Sequence, residues 1–393
     1  MATTLDQEKG RIDSIIDSCR EIAQDVEFAT AKKWQSEKPG RKVFGCFQIY
    51  SPVELFHAAG MLPIAVVGAG TSLEITHADS RFQSFVCSIV KSTLELGLTD
   101  RLKFLEGMVF HSICDPARNL ASVFARNFPA MHIEYIHFPQ NLASPLGKQY
   151  LETEYRRVIT NLEQRLGCKI SDDALNNSIA LYNQIRSILR ELYEIRAQQP
   201  HLIGAAETFL LTRAGTLMPP EDHLKMLQEV RALVPKRPGS LKDRVRVVLE
   251  GSFCELPPVA LIETLEAAGC YILDDDFMRG WRWFTGDVPI QSNPLAALAE
   301  AYGDRCYYSG VKHDTREVKS DHLIKMARDK KADAVIIQAA KFCEPALFDY
   351  ALYRKALDDA NIPHLLLEFE EKAWIFDRAR SEVETFVESL LFD

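Results

Sequence analysis

The 393-residue chain carries 46 Lys and Arg against 55 Asp and Glu, a formal net charge of −9, with 47% apolar and 26% charged residues. That composition is too apolar for a disordered chain, and its acidic balance argues against sequence-independent nucleic-acid binding, which needs cations to neutralise phosphates. No stretch approaches the ~20 apolar residues of a membrane span, and no basic segment leads into an apolar one at the start, so the expectation is a cytoplasmic protein with reduced thiols.

Residues 5–38 predict a helical segment with one apolar stripe (Ile12, Ile15, Ile16, Cys19, Ile22, Val26), ended by Pro39-Gly40. Strand-like runs follow at Val43–Ile49, Leu62–Val67, Gly107–Ile113 and His132–Phe138, with helices from Pro52, over 80–97 and over 116–128. This alternation predicts a parallel sheet. Residues 148–233 keep helical periodicity (Leu175, Ile179, Tyr182, Ile185, Leu189, Leu192) without strands, and Pro235-Lys236-Arg237-Pro238-Gly239 reads as a linker. From 244 the alternation resumes. Strands are predicted at Val245–Leu249, Tyr271–Leu273, Ala334–Ala339 and His364–Phe369, with helices at Pro258–Ala268, 317–331, 345–360 and a last one to about Leu391. The expected architecture is α/β, with two related Rossmann-like parallel-sheet lobes, a helical insert and an N-terminal helix. Its segments are 1–40 helical, 41–147 lobe 1, 148–240 connector and 241–393 lobe 2.

The two lobes share internal patterns. Ser51-Pro52-Val53-Glu54-Leu55 followed by Ala58-Ala59-Gly60 parallels Pro257-Pro258-Val259-Ala260-Leu261 followed by Ala267-Ala268-Gly269. Cys114-Asp115-Pro116-Ala117 parallels Cys343-Glu344-Pro345-Ala346, each between an apolar strand and a helix. That setting puts both cysteines past the carboxyl end of a parallel strand, where open α/β sheets bind ligands. The helix N-terminus behind each favours thiolate. Facing thiolates suit zinc or an iron–sulfur cluster, and spacing does not choose between them. The alternative is that both are buried thiols that fill space.

The nine cysteines are odd in number and contain no C-x-x-C pair, which argues against a disulfide framework and a zinc ribbon. There is no P-loop: Gly147-Lys148-Gln149 lacks the first glycine and the Ser/Thr. Gly68-Ala69-Gly70 lacks the third glycine of a dinucleotide fingerprint, and neither G-x-S-x-G nor H-E-x-x-H occurs.

Ser51-Pro52-Val53-Glu54-Leu55-Phe56-His57-Ala58-Ala59-Gly60-Met61-Leu62-Pro63 resembles the opening signature of the benzoyl-CoA reductase/2-hydroxyacyl-CoA dehydratase family. Ser84-Phe85-Val86-Cys87, Ser112-Ile113-Cys114-Asp115 and Lys341-Phe342-Cys343-Glu344-Pro345 match its three cysteine positions. Within the family the likeness is to the C subunit of the ATP-dependent reductases, through Glu95-Leu96-Gly97-Leu98-Thr99, Gly251-Ser252-Phe253-Cys254-Glu255 and Gly269-Cys270-Tyr271-Ile272 with Asp274-Asp275-Asp276. The resemblance implies that Cys87, Cys114 and Cys343 bind a 4Fe–4S cluster with one iron left open. It implies a homologous B subunit, separate ATPase subunits with a further cluster, reduced ferredoxin as donor, and an acyl-CoA near the clusters. The implied reaction is reduction of benzoyl-CoA to a cyclic diene-carboxyl-CoA, a step in anaerobic aromatic degradation. An (R)-2-hydroxyacyl-CoA dehydratase subunit is the alternative, recycling its electron to eliminate water. A double-cubane reductase would need more ligand cysteines, and a two-lobed solute-binding protein would be colourless.

Other residues carry paired readings. Glu54 and His57 lie three apart on one helix and so share a face. They are candidate catalytic proton relays, or a first-turn Glu and a structural His. Cys46 reads as packing more than as a fourth ligand, and Cys254 as a pocket residue. Ser51 or Ser112 is a candidate donor to a cluster sulfide or to the carbonyl. Asp274–Asp276 reads as capping, Trp281 and Trp283 as core or pocket wall, and Cys19, Cys168, Cys270 and Cys306 as structural.

Overall fold

The computed structural model describes residues 4–47, 50–141, 143–251, 256–277, 285–305, 318–370 and 376–392. Ser252–Glu255, with Cys254, and Trp281, Trp283 and Cys306 lie outside the described residues. Lobe 1 is built on β1 (Lys42–Cys46), β2 (Met61–Ala65), β3 (Leu105–His111) and β4 (His132–Ile136). Lobe 2 is built on β5 (Val245–Gly251), β6 (Cys270–Asp275), β7 (Ala334–Ala340) and β8 (His364–Phe369). The two sheets are entirely parallel and have the same order, β2-β1-β3-β4 and β6-β5-β7-β8. The internal sequence repeat is therefore a repeat of topology. In each lobe the chain leaves the first strand to one side and returns to the other, which puts the switch point between β1 and β3, and between β5 and β7.

Helices cover both faces of each sheet, which is why β2, β6 and β7 are buried at every position. In lobe 1, α3 (Val53–Ala58), α6 (Pro145–Leu166) and α7 (Asp172–Gln198) close one face around Phe44, Phe56, Val109 and Tyr155. On the other face, α2 (Ala29–Ser36), α4 (Ser88–Leu98) and α5 (Asp115–Asn127) pack around Val43, Leu94, Phe110 and Phe124. In lobe 2, α8 (Ala205–Gly215), α10 (Val259–Ala267) and α14 (Asp377–Phe392) face α12 (Lys319–Asp329) and α13 (Glu344–Asp359) across the sheet. The stripe Ile12, Ile15, Ile16 and Cys19 of α1 (Thr4–Gln24) packs with α7, α8 and α9 (Pro220–Leu233) in a separate cluster.

Three features differ from the sequence reading. The N-terminal segment is two helices, because Phe28 takes a left-handed φ of 55° between them. The helix expected over 80–97 begins at Ser88, so Cys87 caps it instead of lying inside it. A helix unforeseen in the sequence, α11 (Pro294–Arg305), packs Leu295, Leu298 and Tyr302 into the lobe 1 core although it lies between β6 and β7 in the chain.

One helix ties both lobes together. Arg186 of α7 is paired with buried Glu54 of α3, and its Nη1 donates to Asn183 Oδ1 at 3.0 Å. Ten residues on, Arg196 donates to Asp275 Oδ2 at the end of β6 at 2.8 Å, and Tyr193 donates to the same carboxylate at 3.2 Å. Arg196, Asp274 and Asp275 are all buried. A single α-helix thus anchors a carboxylate of each lobe.

Candidate functional site

The cysteines Cys87, Cys114 and Cys343 occupy the N-cap positions of α4, α5 and α13. Cys114 follows β3 and Cys343 follows β7, so both stand beside a switch point at the carboxyl ends of strands. The sequence echo has a local physical cause. An acid in the first turn suits the helix dipole, and Pro116 and Pro345 sit at the first positions, where a missing N–H costs no helix bond. The backbone carbonyl of each N-cap accepts from the helix, Arg118 N–H to Cys114 at 2.9 Å and Leu347 N–H to Cys343 at 3.1 Å.

All three thiols are half-buried. Cys87 and Cys114 pack against the same lobe 1 cluster, on the α4–α5 face. Cys343 packs on Leu261, Ala340 and Phe369 of lobe 2, and also against the lobe 1 cluster that contains Tyr50, Ile113 and Phe138. Lobe 2 thus delivers its cysteine to the junction with lobe 1. Burial pushes the Cys114 thiol up; the Ala117 N–H pulls the other way, and Asp115 adds to the rise.

The backbone is strained at this end of the molecule. Phe342, just before Cys343, has φ 64°, and Tyr50, after β1, has φ 63°. Left-handed backbone at a bulky residue is unfavourable, and such strain is concentrated at functional sites. Gly251 ends β5 with φ +128°, where a Cβ would collide with the Gln338 carbonyl oxygen. The Gln338 side chain is itself fully buried, and among the described residues neither its Oε1 nor its Nε2 has a hydrogen-bond partner.

The donor set suits a thiolate-bound group, since three thiols each stand where a helix N-terminus favours the charged form. Among the described residues, no three His, Cys, Asp or Glu side chains converge on one point tightly enough for a single metal ion. An iron–sulfur cluster makes a different demand, because it spreads its thiolates over separate irons.

Glu54 and His57 face the connector. Glu54 is committed to Arg186. His57 bonds Ser178 Oγ through Nδ1 at 2.9 Å and Glu221 through Nε2 at 3.1 Å, and this contact holds the Glu221 carboxyl below its usual range. Both side chains are spent on the connector. Ser51 Oγ lies 2.7 Å from His111 Nε2, a buried pair at the carboxyl end of the lobe 1 sheet, and Ser112 Oγ accepts from Phe138 N–H at 2.8 Å. Cys46 is buried among apolar side chains. Cys19 and Cys270 are buried thiols pushed up to about 12 by that burial, while Cys168 is exposed. A cavity of about 260 Å³ lies between the lobes, lined by Gly68, Phe209, Arg213, Pro257 and Phe376 among others, with no cysteine among its described lining residues.

His111, Arg186, Arg196, Lys91 and Glu95 were not marked as site residues by the sequence, although Glu95 opens one of the stretches that carry the resemblance. For the last two a signal was present: α4 reads SIVKSTLELGL, an apolar helix with two charges four apart.

The family model for 2-hydroxyglutaryl-CoA dehydratase, D-component, matches residues 48–390. The chain belongs to this family. It is 36% identical over 377 residues to the benzoyl-CoA reductase C subunit of Thauera aromatica, covering 96% of this chain and 98% of that one. It is 29% identical to the (R)-phenyllactyl-CoA dehydratase beta subunit of Clostridium sporogenes, covering 90% and 93%. It is 27% identical to the (R)-2-hydroxyglutaryl-CoA dehydratase beta subunit of Acidaminococcus fermentans, covering 96% and 100%. All three relatives are subunits of larger enzymes, and they include both a reductase and dehydratases. Among the described residues no helix is long and apolar enough to cross a membrane.

Proposed function

We propose that this chain is the iron–sulfur subunit of an ATP-dependent aryl-CoA reductase that reduces benzoyl-CoA to a cyclohexadiene-carboxyl-CoA. The observation that carries the reading is the position of Cys87, Cys114 and Cys343, each the N-cap of a helix, two of them at equivalent carboxyl-end positions of two like sheets. The identity to a benzoyl-CoA reductase subunit over nearly the whole chain supports the choice of reaction. In this reading the three thiolates hold a 4Fe–4S cluster with one iron not held by a protein thiolate, and when bound the cluster supplies single electrons at low potential. The enzyme is completed by a homologous B subunit, and ATPase subunits pass in electrons from reduced ferredoxin.

The chain's own contribution is positional. The helix N-termini stabilise negative charge at the sulfurs. Packing of Cys343 against lobe 1 limits water at that sulfur, and a dry surround preserves a reactive electron. Glu54 and His57, candidate proton relays by their spacing, are here struts between lobe 1 and the connector. The buried Ser51–His111 pair is the better placed proton-handling group, because it stands at the carboxyl end of β3, three residues before Cys114.

The test is turnover of the complex purified under anaerobic conditions with its B subunit and ATPase. Net consumption of two electrons per benzoyl-CoA supports the reading. The full-length dehydratase relatives favour a second one, which the same assay separates: water loss from a 2-hydroxyacyl-CoA with no net electron consumption.

A further inference from the structure

Between β2 and α4 the chain runs through two short 3-10 turns, Gly70–Ser72 and Ala78–Arg81, before it reaches Cys87. What holds this loop comes from the helix that follows it. Glu95 of α4 is fully buried, and its Oε2 accepts from the backbone N–H of His77 at 2.9 Å and of Ala78 at 2.8 Å. Its Oε1 accepts from Thr76 Oγ1 at 3.0 Å and lies 2.7 Å from His77 Nδ1. One turn nearer the N-terminus, buried Lys91 pairs with Asp79 at 3.0 Å and reaches the Ser84 carbonyl at 3.4 Å. Arg81 adds a bond of 2.7 Å to Asn127 at the end of α5, the helix capped by Cys114.

The spacing is what gives these contacts their direction. Lys91 and Glu95 follow Cys87 by four and eight residues, so the three share a helix face. Helical side chains tilt toward the N-terminus, so both charges reach back over the turn that Cys87 caps. The rest of α4 is an unusually firm base, since every residue from Ile89 to Gly97 is buried. A buried carboxylate with four donors is a costly way to pack a helix, but it selects one loop conformation over its alternatives.

We infer that Lys91 and Glu95 are positioning residues that clasp the 76–86 loop and thereby fix the Cys87 sulfur for cluster binding. The inference rests on the reading of Cys87 as a cluster ligand.

The experiment uses the complete complex, purified under anaerobic conditions, carrying Glu95→Gln, Lys91→Met or Cys87→Ser. Three properties are read: deuterium uptake of the 73–87 peptide, iron and acid-labile sulfide content, and the rate of cluster loss to an iron chelator. Glu95→Gln removes the charge and leaves one oxygen where the carboxylate had two, so the Thr76 hydroxyl and His77 ring lose the acceptor they share. It is expected to speed both exchange of the peptide and cluster loss at least about tenfold, with Lys91→Met giving a smaller change in the same direction. Faster exchange with unchanged cluster loss would show a structural tie only and overturns the inference, as does no change in either. If Glu95→Gln fails to assemble, Lys91→Met and Thr76→Val, which removes one donor to the carboxylate, decide by the same readouts. A Cys87→Ser complex that keeps its full iron and its chelator resistance refutes the ligand reading itself, separately from the clasp.

Discussion

Glu95 and Asp274 are both buried carboxylates, and they titrate in opposite senses. Burial pushes the Glu95 carboxyl up, but the donors from His77, Ala78 and Thr76 outweigh it and bring it down to about 2. The folded form therefore favours the charged state; its stabilisation is complete above the ordinary 4.5 and is lost as pH falls through about 2. Asp274 is raised by burial to about 6, against which Arg196 pulls down and neighbouring Asp275 pushes up. Its contribution is complete below 3.8 and is lost as pH rises through about 6. Glu95→Gln is expected to reduce the acid-side slope of stability, to which other lowered carboxylates such as Glu134 and Glu221 also contribute, and Asp274→Asn to reduce the slope between about 4 and 6. Denaturant unfolding at a series of pH values measures both, and an unchanged slope in either variant contradicts the assignment. At Gln338 the buried amide lacks partners among the described residues, so Gln338→Met is expected to raise stability by about 1 kcal/mol, the cost of an unsatisfied polar group being about 1–3 kcal/mol. A loss of stability in that variant would mean that the amide has a partner when the protein is in solution.

At the scale of elements, α7 decides how the lobes sit. Arg186 and Arg196 each meet a buried carboxylate, Glu54 in lobe 1 and Asp275 in lobe 2. Removing one partner of such a pair leaves a buried charge uncompensated, at about 3–5 kcal/mol. Arg186→Met should cost that much in urea unfolding, and adding Glu54→Leu should restore more than half of it; a single-variant loss below about 1 kcal/mol would show that Glu54 finds another partner. None of this pairing was visible in the sequence, because Glu54 and Arg186 stand 132 residues apart and nothing local marks them as a couple. The strands were legible for the opposite reason: a strand buried on both faces is apolar throughout, and β7 (AVIIQAA) interrupts that pattern only at Gln338. Cys114 and Cys343 were legible because Cys, acid, Pro and Ala make a helix N-terminus. Cys87 lacks the acid and the proline, and its place as a cap depends on loop contacts made through Lys91 and Glu95. The packing of α11 on lobe 1 was hidden because amphipathic periodicity names a buried face and not the element that covers it.

At the scale of the molecule, two sheets of the same strand order are bridged by α7 and by the packing of α11 and Cys343 on lobe 1, and they present equivalent cysteines at their carboxyl ends. That duplication gives each lobe a capped helix to offer, while Cys87 comes from the crossover between β2 and β3 of lobe 1. The most direct test of the account is the iron and acid-labile sulfide content of the complex, purified under anaerobic conditions, with Cys87, Cys114 and Cys343 each changed to Ser, read together with the electron paramagnetic resonance of the reduced protein. The account predicts about four irons and four sulfides bound through this chain, and loss of that cluster signal in each of the three variants. Retention of the full iron content and an unaltered signal in any one of them would contradict it.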